Sequence, residues 1–377
     1  MTTTICFGTR TIAYPTLGGH FWAYANWARG FKRLGCTVLW LEAVPPNCGQ
    51  RWIDSHVPIL RQRLDDNGLT DDIVLAHESG ERFPFALPER CVPLEAAHDA
   101  ADLFVNQLYG FSAAGVGSFR RSALLDIDPG LLQIWMCNGA FAIAPHDRYF
   151  TIGETIGKSG SLIPDGGIDW LYTPPCVDTE TWQVSSAPPD RSFTTLTHWY
   201  TDEWVVDRDT MYLNNKRESF LEFVTLPTLV GSTLEIAVSL TEHEIDDRTL
   251  LRTNGWHIAD PGKVAGSPNE YREYVRGSRA EFSCAKPSCM RLQNAWISDR
   301  TLCYLASGKP AVVQNTGPSA FLPDAEGILR FRTIEDAVRA IEVVERDYDL
   351  HARAARALTV ELFDARKVAN ALLERAL

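Results

Sequence analysis

A chain of 377 residues is longer than the roughly 250–300 residues one hydrophobic core covers, so two domains are expected. Hydrophobic residues make up 45% and charged residues 22%, which excludes a disordered chain and supplies a sizeable core. A net charge of −12 opposes general binding to a phosphate backbone; no nucleic-acid polymer is expected as partner, while a local basic pocket for one diphosphate stays open. No apolar run approaches the roughly 20 residues of a membrane helix, and the start MTTTICFGTRTIAYP has no basic segment leading into an apolar one. Cytoplasmic localisation without membrane insertion is the expectation. The nine cysteines, Cys6, Cys36, Cys48, Cys91, Cys137, Cys176, Cys284, Cys289 and Cys303, include no C-x-x-C pair, so neither a zinc site nor a disulfide framework is indicated.

In chain order, TICFGT at 4–9 reads as a short strand and residues 15–19 as a Pro- and Gly-containing loop. From 21 to 34 the apolar residues Phe21, Ala25, Ala28, Phe31 and Leu34 recur at helical spacing, with Gly35 as the stop. TVLWL at 37–41 is a second buried strand, which completes a βαβ unit and opens a parallel doubly wound sheet. The runs 123–127 and 131–136, around the turn Asp128-Pro129-Gly130, fit the same alternation. Between 160 and 189 the density of proline and glycine has the composition of a linker. The alternation then restarts, with strands at 193–197, 234–240, 280–284 and 311–314 and helices at 214–224, 247–254, 269–275 and 299–306, the last stopped by Gly308. From Thr333 onward the chain is helical by pattern. The domains expected are residues 1–170, a proline-rich linker at 171–190, residues 191–350, and a terminal helix at 351–377 that crosses back to the first domain.

The segment EFSCAK…WISDRTLCYLASGKPAVVQNTG, from Glu281 to Gly317, resembles the donor half of bacterial GT-B glycosyltransferases of the group 1 type. TLGGHFWAYANWARGFKRLGCTVLWLEA resembles their first βαβ unit, and HARAARALTVELFDARKVANALL their terminal helices. Residues 51–147 match nothing in that pattern. The resemblance implies an α/β fold of two Rossmann-like domains facing a cleft, with C-terminal helices. It also implies sugar transfer from a nucleoside-diphosphate sugar, UDP as the common type, to a small-molecule or glycan acceptor, for instance in natural-product biosynthesis. Neither a cofactor nor a metal is required by it.

A donor diphosphate needs backbone N–H groups and fixed positive charge. Ser298 fits an N-cap, with Asp299 and Arg300 in the first helical turn and the guanidinium able to fork onto phosphate oxygens; an Arg paired with a carboxylate is the plainer use. Lys286 follows the strand at 280–284, and Asn215, Lys216 and Arg217 open a helix after the first strand of the second domain, where open sheets bind ligands. The resemblance sets Asn315, Thr316 and Gly317 toward the transferred sugar or its phosphate, although they also read as a simple turn. Trp256 could stack on the donor base or pack in the core. Gly18 and Gly19 permit positive φ and close ligand approach before a helix, and His20 beside them could act as general base, oriented by Asp99 or Asp102. Glu154 could also line the cleft, and Phe21, Trp22, Tyr24, Tyr109 and Phe111 could form an acceptor pocket or simply be core.

Two departures leave the stereochemistry open. The paired glutamates of many retaining enzymes of this fold would fall at Ala295 and Cys303, neither of them acidic, with Glu281 or Asp299 as candidate substitutes. The His-x-Gly motif of many inverting enzymes is also lacking. Competing readings are a nucleotide-sugar epimerase or hydrolase on the same fold and a noncatalytic nucleotide-sugar-binding protein. A dinucleotide oxidoreductase is disfavoured because no strand is followed by G-x-G-x-x-G.

Overall fold

The computed structural model describes residues 2–45, 47–69, 72–201, 203–207 and 210–377. The chain divides into two compact units, one of Met1–Gly157, Pro164–Asp178 and Asp364–Leu377, the other of Lys158–Ile163 and Thr179–Phe363. Among the described residues no helix is long and apolar enough to cross a membrane.

The first unit is built on eight parallel strands, β1 (Thr4–Thr9), β2 (Thr37–Val44), β3 (Ile73–His77), β4 (Cys91–Pro93), β5 (Leu103–Asn106), β6 (Ser122–Asp126), β7 (Arg148–Thr151) and β8 (Trp170–Tyr172), in the order β4-β3-β2-β1-β5-β6-β7-β8. β1 is apolar along most of its length because helices cover both faces of a parallel sheet, and Phe7 sits in register between Trp40 and Val105. The helix Gly18–Arg33 packs against the terminal helix Ala365–Ala376. Gly30 permits the close approach, since a Cβ there would stand 2.5 Å from the Ala365 carbonyl oxygen.

The proline-rich stretch is not a free linker. Trp170–Tyr172 is the edge strand β8, where prolines just beyond it interrupt no ladder. The Asp178 N–H donates to Asn26 Oδ1 at 3.1 Å, and its carboxylate meets Arg29 and Arg33, so residues up to 178 are fixed to the first unit. Ser185 N–H donates to the Ser307 carbonyl and Lys309 Nζ to those of Ser185 and Ser186, which fixes the following residues to the second. That unit extends to Phe363 rather than ending near 350.

In the second unit β9 (Phe193–Thr197), β12 (Leu234–Val238), β13 (His257–Ala259), β14 (Ala280–Ser283), β15 (Ala311–Gln314) and β16 (Ile328–Phe331) form a parallel sheet in the order β13-β12-β9-β14-β15-β16. An antiparallel hairpin, β10 (Trp204–Asp207) with β11 (Thr210–Leu213), leaves the chain after β9. The core stacks Phe282 on Phe331, with centroids 5.2 Å apart, among Phe193, Phe220, Phe223 and Trp256.

Both sheets reverse their winding beside their first strand, between β1 and β5 and between β9 and β14. Diverging connections open a crevice at the carboxyl ends of such strand pairs, which is where open sheets take ligands.

Candidate functional site

At the carboxyl ends of β9 and β14 the second unit assembles most of the cations expected from sequence, in unequal states. Arg300 is deeply set, its side chain 13% exposed. It donates through Nε to Glu281 Oε1 at 2.8 Å, through Nη1 to the Leu196 carbonyl at 2.7 Å and through Nη2 to Ser283 Oγ at 2.5 Å. Burial works against its charge, but the Glu281 carboxylate outweighs this and holds the guanidinium protonated. Arg300 therefore ties two strand ends together instead of forking onto a ligand. Glu281 is fully buried beneath it, which removes it from contact with any substrate.

Arg217 is likewise engaged, with Nε and Nη2 on Asp247 at 2.6 and 2.9 Å; burial opposes the Asp247 carboxylate, yet the Arg217 bonds hold its pKa below the usual range. Lys286 pairs with Glu203 at 2.6 Å. Lys216 differs. Its Nζ donates to the Cys284 carbonyl at 2.5 Å and lies 5.8 Å from the Trp296 ring centroid, and among the described residues it pairs with no carboxylate. Desolvation, with Arg300 alongside, lowers its pKa to about 7. Asn215 caps the helix Lys216–Leu221 by accepting from Glu218 N–H at 3.3 Å, and its Nδ2 has no partner among the described residues.

Across the crevice, Ser298 caps the helix Asp299–Ala306 by accepting from Arg300 N–H at 3.2 Å. Burial raises the carboxyl of Asp299, the first residue of that helix. The loop before it holds Gln293 and Ala295 at φ 51° and 53°, conformations uncommon for residues with a Cβ. It is clamped to the loop after β15, where Thr316 Oγ1 donates to the Trp296 carbonyl at 2.7 Å, Ala295 N–H donates to the Thr316 carbonyl at 3.1 Å, and Asn315 Oδ1 accepts from Gly317 N–H at 3.0 Å. Gly317, at φ 132°, lies where a Cβ would stand 2.8 Å from the Gln293 carbonyl oxygen. Trp296 thus belongs to this constellation. Nothing in the residue types announces the left-handed backbone that presents it. Trp256 does not belong: it is 3% exposed, packs between Phe220 and Phe282, and donates Nε1–H to the Val224 carbonyl at 2.8 Å.

In the first unit Gly18, Gly19 and His20 form the opening turn of the helix Gly18–Arg33 instead of a loop ahead of it. The N-cap Leu17 gives no side-chain cap, so the first N–H groups stay open. His20 packs between Tyr14 and Tyr24, with ring centroids at 4.4 and 5.2 Å. Asp102 accepts from Thr4 N–H at the amino end of β1, and Asp99 lies just before it, so neither reaches His20 at the carboxyl end. Glu154 is buried, and Phe21 and Trp22 are core.

His20 and Tyr24 line a cavity of about 430 Å³ with Arg10, Glu78, Gln107, Tyr109, Phe111, Asp128, Trp135 and Phe141. Two buried carboxylates hold its walls. Glu42 accepts from Thr9 Oγ1 and Trp40 Nε1 at 2.8 Å and from the backbone and hydroxyl of Thr11, which fixes the segment carrying Arg10. Asp126 accepts from Thr151 Oγ1 at 2.7 Å, Gln133 Nε2 at 2.9 Å and the Tyr109 hydroxyl at 3.0 Å. Burial raises the pKa of both carboxyls.

No protein-family model matches the sequence, and no curated protein matches it. Solved structures do. An alpha-glucosyltransferase in complex with UDP and a 13-mer DNA containing a HMU base aligns with a TM-score of 0.60 at 11% identity, covering 99% of each chain. Anabaena Alr3699/HepE in complex with UDP-glucose aligns at 0.58 and 12% identity, covering 99% of this chain and 98% of its own. AviGT4, a glycosyltransferase involved in avilamycin A biosynthesis, aligns at 0.55 and 14% identity, covering 99% and 97%. With two parallel, helix-covered sheets matched along essentially their whole length by such enzymes, the chain has the GT-B fold of glycosyltransferases.

Proposed function

We propose that this chain is a glycosyltransferase that moves a sugar from a nucleoside-diphosphate sugar, of the UDP type, to a small-molecule or glycan acceptor. The observation that carries the reading is Lys216, which among the described residues pairs with no carboxylate at the carboxyl ends of β9 and β14, while its neighbours Arg300, Arg217 and Lys286 are neutralised. A diphosphate supplies the missing counter-charge, and burial strengthens that attraction. On this reading the Asn215 amide, the Ser298–Asp299 helix start and the Asn315–Gly317 loop serve as polar partners for the phosphates and the sugar, with Trp296, its ring 5.8 Å from the Lys216 Nζ, as a flat wall. Support comes from the neighbours whose structures hold UDP or UDP-glucose. AviGT4, with its role in avilamycin A biosynthesis, supports a natural-product acceptor. One neighbour is bound to DNA, but a net charge of −12 favours an acceptor other than nucleic acid here.

His20 is the group we assign as the base that takes the acceptor proton, its ring held between Tyr14 and Tyr24 beside the cavity of the first unit. The enzyme so described works in the cytoplasm and needs no cofactor beyond its co-substrate. A thermal-shift screen against UDP, GDP, dTDP and their sugar conjugates tests the reading. One nucleoside-diphosphate series is expected to stabilise the protein, and no shift with any of them at millimolar concentration would sink it. Steady release of free sugar without any acceptor would make the chain a hydrolase.

A further inference from the structure

The first unit contains a second feature that asks for a ligand. Gln107 follows β5 at the point where the sheet reverses, its backbone N–H fixed on the Gly8 carbonyl at 3.1 Å. The residue is 4% exposed and lines the cavity, yet among the described residues neither its Nε2 nor its Oε1 has a hydrogen-bond partner. Buried amides are nearly always paired, so one left bare at the wall of a hollow of about 430 Å³ marks a place where a ligand completes the bonding.

We infer that this cavity takes a neutral, polyhydroxylated ring, a hexose unit in class, and that the Gln107 amide reads two of its adjacent hydroxyls. An amide presents a donor and an acceptor side by side, and neighbouring hydroxyls, each both donor and acceptor, match that pair. The rings of Tyr24, Trp135 and Phe141 offer flat surfaces for the C–H face of such a ring. Arg10 and Glu78, 3.9 Å apart, add two more planar polar groups. Other ligand classes fit less well. The lining has one guanidinium against the carboxylates of Glu78 and Asp128, which disfavours an anion, and a wholly apolar molecule would leave Gln107 buried and unpaired. That the bound ring belongs to the glycosyl acceptor rests on the transferase reading; the site itself does not.

Saturation-transfer NMR on the full chain without nucleotide tests this, with methyl β-glucoside, methyl α-mannoside, cellobiose, uridine and phenol as probes. Saturation of pyranose C–H protons is expected, weakened about tenfold in affinity by Gln107→Leu and by Trp135→Ala at the half-exposed wall. UDP-induced thermal shifts should be unchanged in both variants, which also reports that they fold. Saturation of no glycoside, of uridine or phenol in preference, or of glycosides equally in both variants overturns the proposal. Glycoside binding without any UDP response would instead remove the donor reading and leave this site standing.

Discussion

Replacing Lys216 by Met should weaken UDP binding and abolish its dependence on pH above neutrality. A charge-assisted hydrogen bond to phosphate contributes about 1.5–3 kcal/mol, so a loss of roughly 10- to 100-fold in affinity is expected. The pH dependence follows from the ammonium, whose pKa is lowered to about 7 by desolvation and by Arg300. Below that value the free protein already carries the charge that the diphosphate needs. Above it Lys216 is neutral in the free protein but charged in the complex, so binding takes up a proton and affinity falls by about tenfold per pH unit. The phosphate ionises near pH 6 and contributes no further change above about pH 7. Lys216→Arg, whose guanidinium stays charged, should bind UDP without the slope. Titration calorimetry from about pH 6 to about pH 9, in two buffers of different ionisation enthalpy, reads both the affinity and the proton uptake. A pH-independent wild type, or a slope that survives in Lys216→Met, would refute the assignment. Because a lowered lysine pKa means that burial of the charge opposes folding at neutral pH, Lys216→Met should unfold no earlier than wild type. Lost binding is thereby separated from lost structure.

Arg300→Met should act on stability, by about 3–5 kcal/mol in urea unfolding, because it strands the fully buried Glu281 carboxylate; adding Glu281→Gln should recover much of the loss. Wild-type stability with UDP binding gone would return Arg300 to the phosphate. Gly317→Ala should cost roughly 1–3 kcal/mol, since φ 132° and the Gln293 backbone both oppose a Cβ, and a calorimetric melt at the wild-type temperature would contradict this. For Glu42 the folded pKa is raised by burial, so the folded chain binds that proton more tightly than the unfolded one. Its contribution is present below the ordinary carboxylate value of 4.5 and is lost as pH rises through the raised one. Wild type should therefore lose ground against Glu42→Gln in urea melts as pH increases, and a constant gap between the two would show that Glu42 does not titrate in that range.

Much of the scaffold could be read from residue order because its signals are local. Strand 4–9, the helix Asp299–Ala306 stopped by Gly308, and strand 311–314 coincide with the observed elements, each a short apolar run closed by its own cap or glycine. The hairpin β10–β11 escaped because its exposed Trp204, Val206 and Met211 are as apolar as its buried Val205 and Tyr212, so the strands carry no inward–outward alternation of apolar and polar residues. The helix Gln50–Asp66 was hidden by the proline at 58 inside it. Side-chain partnerships were less legible still. Arg300 reads from sequence as a first-turn cation open to a ligand, and only the parallel pairing of β9 with β14 brings Leu196, Glu281 and Ser283 around it. Gln107 carries no mark in the sequence of the role proposed for it, since what sets it apart is a buried side chain with no partner among the described residues.

The division among the four cations at the second sheet fits the phosphate site proposed there. A cluster of unpaired charges that must await a ligand repels itself in a desolvated crevice, so most of the positive charge has to be neutralised in place. Arg300, Arg217 and Lys286 each meet a carboxylate, whereas Lys216 pairs with none among the described residues, and desolvation, with the Arg300 charge beside it, depresses its protonation. On the proposed reading that lysine gains its full charge only when the diphosphate arrives.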